Sequence, residues 1–177
     1  MTFALPYSLV VGFVMWMTVW SLPLDAYGEL VIDHSPKLVV GWVEKVQILP
    51  ENILLHAKID TGADTSSLNV SDVSEIVRKS ERWVTFTVTT KEGQSMTLEK
   101  PIHRYVKIKR KGAKPQRRPV VEFDLCLGNI FQRKALVNLT DRKNFTYNML
   151  IGRSFLKHQA VVDSAQTYKH EPNCSDK

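Results

Sequence analysis

Lys58-Ile59-Asp60-Thr61-Gly62-Ala63-Asp64-Thr65 decides how the rest of the chain is read. Ile53, Leu55, Ala57 and Ile59 recur at every second position ahead of it, the period of a strand with one buried face. That strand delivers a single carboxylate, Asp60, to a sharp corner. Gly62 lets the backbone turn where a side chain would obstruct it. Thr61 offers a hydroxyl small enough to be buried and hydrogen-bonded beside the acid, and Ala63 keeps the inner side free of bulk. Taken alone, the tripeptide also fits an ordinary strand end with a polar turn.

Outward from this corner the chain reads as short strands separated by turns. Val39–Ile48 is a strand, and Pro50-Glu51-Asn52 turns it back into the run that ends at Asp60. Ser66–Val70 and Val73–Lys79 are expected to include a short helical turn. Trp83–Thr89 alternates strictly and is rich in β-branched and aromatic residues, so it is a strand. Lys91–Gln94 is a turn, Ser95–Leu98 a returning strand, Tyr105–Lys109 another strand, and Gly112–Pro115 a loop. Pro119–Leu127, the Gly128-Asn129 turn and Phe131–Leu139 form a hairpin. Asn148–Leu156 is a short apolar strand that ends at Gly152 and opens a helical turn, and Ala160–Asp163 is a last strand. The pattern predicts an all-β closed barrel with little helix.

The 177 residues and 44% hydrophobic content suit one folded domain. The domain is expected over residues 29–164, its first strand starting near Leu38, with 165–177 a disordered polar tail. Residues 3–24 are almost wholly apolar and long enough to span a bilayer. Ala26-Tyr27-Gly28 resembles a signal cleavage site, yet the first Lys or Arg is Lys37, so the usual basic start is missing. Residues 1–28 are therefore either a signal peptide or an N-terminal membrane anchor. Either sends the domain across a membrane, to the periplasm or to the periplasmic face of the inner membrane. Cys126 lies in an apolar run and is expected as a buried hydrophobe, a bridge to Cys174 being the lesser alternative.

The formal net charge of +6 is local. Arg104, Lys107, Lys109, Arg110, Lys111, Lys114, Arg117 and Arg118 fall between Pro101 and Val120 without an acid among them, and the remaining residues sum to −2. Such a run is either a solvated loop or a field that attracts acidic peptides or anionic surfaces. Tyr105 is its only aromatic residue, so nucleic acid is not expected as a partner. No phosphate-binding glycine loop is present.

The order of the pieces resembles the retropepsin fold, the single-lobe aspartic peptidase of retroviruses. There an Asp-Thr-Gly-Ala-Asp corner is likewise followed by a flap hairpin and later by an Ile-Gly-Arg motif, here Ile151-Gly152-Arg153. Gly41-Trp42-Val43-Glu44, Arg118-Pro119-Val120 and Asn138-Leu139-Thr140-Asp141-Arg142 extend the likeness to the bacterial RimB-type family, across roughly Val40–Asp163. That family is also labelled an ATP-dependent zinc protease. His34, His56, His103, His158 and His170 are scattered without metal-ligand spacing, so neither metal nor cofactor is expected.

The resemblance implies an aspartic endopeptidase whose two carboxylates share one proton across a water. The chain carries one such motif, so the second acid would come from another copy, giving a homodimer. Asp60, Thr61 and Gly62 are the implied catalytic group, with Thr61 bonding across the interface and the Gly62 carbonyl facing the peptide. Ala63, Asp64 and Arg153 are implied in substrate binding or in a brace of the dimer, with Asp64 paired to Arg153. The flap is either Thr90–Ser95 or the basic hairpin of 105–118. Glutamate-ligating enzymes accompany this family, which implies an acidic peptide or protein substrate. The competing reading is a peptide-binding module that keeps the shell without catalysis.

Overall fold

The computed structural model describes residues 36–110, 113–140 and 146–174. The expected signal or anchor at 1–28 lies outside them. The elements are β1 (Leu38–Leu49), β2 (Ile53–Ile59), β3 (Ser66–Asn69), β4 (Ser71–Arg78), β5 (Glu81–Thr89), β6 (Ser95–Pro101), β7 (Arg104–Arg110), β8 (Ala113–Leu127), β9 (Ile130–Thr140), β10 (Met149–Ile151), α1 (Arg153–Leu156) and β11 (Ala160–Thr167).

Eight strands form one sheet in the order β11-β1-β2-β10-β3-β9-β8-β7, and β1 also pairs with β8. That extra pairing closes β1-β2-β10-β3-β9-β8 into a six-stranded barrel, with β11 and β7 carried on its outside. The described residues form the expected all-β barrel with little helix. Period-two burial drives the closure. Val46 and Ile48 of β1, Leu55 and Ala57 of β2, Leu68 of β3, Phe123 and Leu125 of β8 and Met149 of β10 fill one core. The strands β4-β5-β6 form a second sheet that caps it. Its Val84, Phe86 and Val88 join the same core, and Phe86 meets Phe123 edge-on with ring centroids 6.2 Å apart.

Four expectations change. Ser66–Val70 and Val73–Lys79 hold no helical turn, because β3 is inserted between β9 and β10 and β4 pairs with β5. Tertiary pairing overrides the turn preference of the serines. The loop at 112–115 is shorter than expected, since β8 already begins at Ala113. Beyond residue 164, in place of the expected disordered tail, β11 runs to Thr167 and an ordered strap continues to Cys174. Cys174 is bonded to Cys126, so the apolar surroundings of Cys126 hold a disulfide and not a free thiol.

Candidate active site

Asp60 follows the last residue of β2 and is half-buried. Its backbone N–H donates to the Ile151 carbonyl at 2.9 Å, which fixes the corner against the end of β10. The Gly62 N–H donates to Asp60 Oδ1 at 2.9 Å, and a Cβ on Gly62 would come within 3.1 Å of that oxygen. The glycine thus leaves room for the carboxylate and supplies its donor. Thr61, Gly62 and Asp64 are exposed, and Ala63 is half-buried.

The Ile151-Gly152-Arg153 stretch packs directly on this corner. The Arg153 N–H donates to the Ala63 carbonyl, and the Ser154 N–H to the Asp64 carbonyl, both at 2.9 Å. A Cβ on Gly152 would lie 2.8 Å from the Thr65 carbonyl carbon and 2.9 Å from the Asp64 oxygen, so only glycine permits this approach. Arg153 Nη1 donates to the carbonyls of Thr61 (2.9 Å) and Gly62 (3.0 Å). Its Nη2 lies 3.6 Å from Asp64 Oδ1, with both side chains more than half exposed. The two carbonyl bonds therefore position the guanidinium more firmly than the long, solvated ion pair does. Arg153 and Asp64 do meet, and Arg153 also spans the corner's backbone.

Sequence reasoning had no means to find Ser66. It is buried, and its Oγ accepts the Gly152 N–H at 3.1 Å, tying β3 to the same junction. Asn138 of β9 completes the support, its Nδ2 donating to the Ser66 carbonyl at 2.7 Å.

Three cavities open beside the corner. One of about 370 Å³ is bounded by Thr61, Asp64, Leu156, Ala160 and Val162. A second, of about 450 Å³, lies between Ala63-Asp64-Thr65 and the basic hairpin, with Arg104, Lys107 and Arg118 in its wall. A third, of about 320 Å³, shares Asp64 and Arg104 and adds Lys134. The β7–β8 hairpin is thus the one that shares cavities with the corner. The Thr90–Ser95 turn instead faces Glu51–Leu54 at the opposite end of β2, a strand about 20 Å long. Arg118 is buried and reaches Gln116 and Asn138, while the Arg117 guanidinium lies 3.4 Å from the Tyr105 ring centroid. Among the described residues no group of three or more His, Cys, Asp or Glu side chains could hold a metal ion.

Comparison with known proteins agrees with this architecture. The family model described as RimB-like, "Retropepsin-like aspartic endopeptidase RimB", matches residues 39–173. A crystal structure of a Legionella pneumophila protein of unknown function (DUF785) is similar at a TM-score of 0.66 and 36% identity, over 77% of this chain and 100% of that one. Probable alpha-L-glutamate ligases are also similar. One from Shewanella pealeana is 26% identical over 117 residues, and one from Parasynechococcus marenigrum is 28% identical over 112. The matches take in 64% and 62% of this chain but 25% and 24% of the ligases, so the chain spans about a quarter of those relatives.

Proposed function

The chain belongs to the RimB-like family of retropepsin-like aspartic endopeptidases, and from that premise we propose that it hydrolyses peptide bonds with a pair of Asp60 carboxylates, one from each copy of a homodimer. The observation that carries this reading is the single Asp60 corner, fixed from behind by Ile151, Gly152 and Arg153 and open in front. Two carboxylates held close across a symmetry axis cannot both ionise, so one keeps a proton. The ionised Asp60 takes a proton from the water as it attacks the scissile carbonyl carbon. The protonated Asp60 donates to the carbonyl oxygen as charge develops there. The resulting tetrahedral species breaks its C–N bond once the leaving nitrogen has been protonated, and no bond to the enzyme forms. Thr61 binds across the interface, and Asp64 and Arg153 hold each corner in shape.

The substrate is an acidic peptide, and the β7–β8 hairpin acts as the flap. Arg104, Lys107 and Arg118 place positive charge along the cavity beside Ala63 and Asp64, where substrate carboxylates are attracted. The similarity to probable alpha-L-glutamate ligases supports glutamate as the acidic unit. The domain works outside the cytoplasm, residues 1–28 serving as signal or anchor. A buried disulfide supports an oxidising compartment.

The test is cleavage of a glutamate-rich peptide by the full chain and by Asp60→Asn, with sedimentation in parallel. We expect the substitution to cut the rate by about a thousandfold or more, with a chelator having no effect on the wild type. Cleavage that survives Asp60→Asn refutes the dyad. A strictly monomeric chain that binds the peptide without cutting it would instead be a recognition module.

A further inference from the structure

The strap that follows β11 does something no catalytic role requires. At Tyr168 (φ 52°) the chain turns back along β1. The Tyr168 N–H donates to the Val43 carbonyl at 2.7 Å, and the His170 ring Nε2 is 2.9 Å from the Val39 carbonyl. Between these points the strap meets Glu44, which has no exposed surface. Glu44 Oε1 accepts N–H groups from Gly41 (2.6 Å) and Lys169 (3.1 Å), and Oε2 accepts the His170 N–H (3.2 Å). A buried carboxylate is therefore held by backbone donors, two of them from the strap. The strap ends with the Asn173 N–H on the Gly128 carbonyl and with the Cys174–Cys126 bond into β8. At its other end it continues β11, which pairs with β1 and supplies Ala160 and Val162 to the cavity shared with Thr61 and Asp64.

We propose that the strap is a redox-controlled brace of the Asp60 site. Closed by the disulfide, it keeps Glu44 satisfied and β11 seated. Opened by reduction, it lets the β11 wall beside the corner loosen. The inference rests on the Asp60 corner being the peptidase site. The co-reactant is a dithiol reductant. Its thiolate attacks Cys174 Sγ, since Cys174 retains 6% exposure against 0% for Cys126. The Sγ–Sγ bond breaks, a mixed disulfide forms on Cys174, and Cys126 leaves with the electron pair and takes a proton. The reductant's second thiol then displaces Cys174, which is protonated in turn. The reductant ends as a disulfide, and the chain has gained two electrons and two protons. With the anchor gone, Lys169 and His170 are free to leave Glu44, which loses two of its three backbone donors, and the ladder along β1 loses its end. A disulfide-bearing oxidant reverses each step, so the brace closes in an oxidising compartment.

Hydrogen exchange on the full chain, oxidised and after complete reduction verified by thiol labelling, tests the brace, with peptide cleavage measured in parallel. Exchange at Lys169, His170, Asn173 and the β11 amides should rise about tenfold or more on reduction, while β9 and β10 hold their protection. Cys174→Ser should exchange like the reduced chain and ignore reductant. Unchanged exchange in β11 overturns the brace. So does a uniform rise that includes β9 and β10, which would make the disulfide a global staple. A chain that shows the exchange response yet cleaves no peptide when oxidised leaves the brace standing and counts against the peptidase reading alone.

Discussion

Asp60 and Glu44 come from the two arms of one hairpin, and their surroundings are opposite. Glu44 has no exposed surface and accepts three backbone N–H groups. Asp60 is half-exposed and accepts the Gly62 N–H on Oδ1, while among the described residues no donor reaches Oδ2. A carboxylate buried among fixed donors is closed to water, and its charge serves to hold the chain. One left open on a rigid corner can exchange protons with what binds there. The same functional group is a structural pin in one place and a reagent in the other, and the number of donors around it makes the difference.

The contrast breaks first at Glu44. Glu44→Ala should lower the unfolding free energy by about 3–5 kcal/mol, because buried donors lose their acceptor and a cavity remains. Asp60→Asn should change it by less than about 0.5 kcal/mol. Urea titration of both variants checks the contrast, and equal losses would remove it. Next comes the backbone around Asp60. Gly152→Ala forces a Cβ to within 2.8 Å of the Thr65 carbonyl carbon, and we expect a loss of about 1–3 kcal/mol, with activity falling further than stability as the corner shifts. A variant with intact kinetics would show that the corner tolerates displacement.

The smallest effect is at His56, which joins β2 to the strap through a 2.8 Å hydrogen bond to the Tyr168 hydroxyl. Burial, and then the charge of Lys91, hold its pKa below the ordinary 6.5. The unfolded chain therefore takes up the proton first as pH falls, so folding opposes protonation and stability rises with pH across this range. The contribution is fully present above about 6.5 and is lost as pH falls through the lower folded value. His56→Gln should flatten the pH dependence of the urea midpoint as pH falls below the ordinary 6.5. A steeper acid loss in the variant would mean that the folded state favours the protonated ring.

The parts legible in the sequence were those written in local pattern. The period-two run into Asp60, the alternating Trp83–Thr89 strand and the Gly128-Asn129 turn each depend on neighbours in the chain, and each lies where expected. The meeting of Arg153 with Asp64 was implied by the family resemblance. What escaped was set by distant partners. Ser66 and Ser67 read as turn formers because the strands that flank them, β9 and β10, lie more than sixty residues away. The basic run gave its charge but not its place, since only the β7–β8 pairing puts Arg104 and Lys107 beside Ala63. The tail looked disordered because its polar residues have no local use. Their ordering comes from Glu44, 125 positions earlier in the chain.

β1 finds β2 at once across a short turn, but its other edge waits for β8, then β11, and finally His170, 131 residues after the carbonyl it meets. The first strand of the barrel to be made is thus the last to be finished. A ribosome-bound chain can form the hairpin that carries Asp60 early, yet it cannot close the barrel until β10 has emerged, or complete the donors around Glu44 until the strap has. The finish of β1 thus waits on a segment far along the chain, and any loss of the strap reaches back to the opening strand.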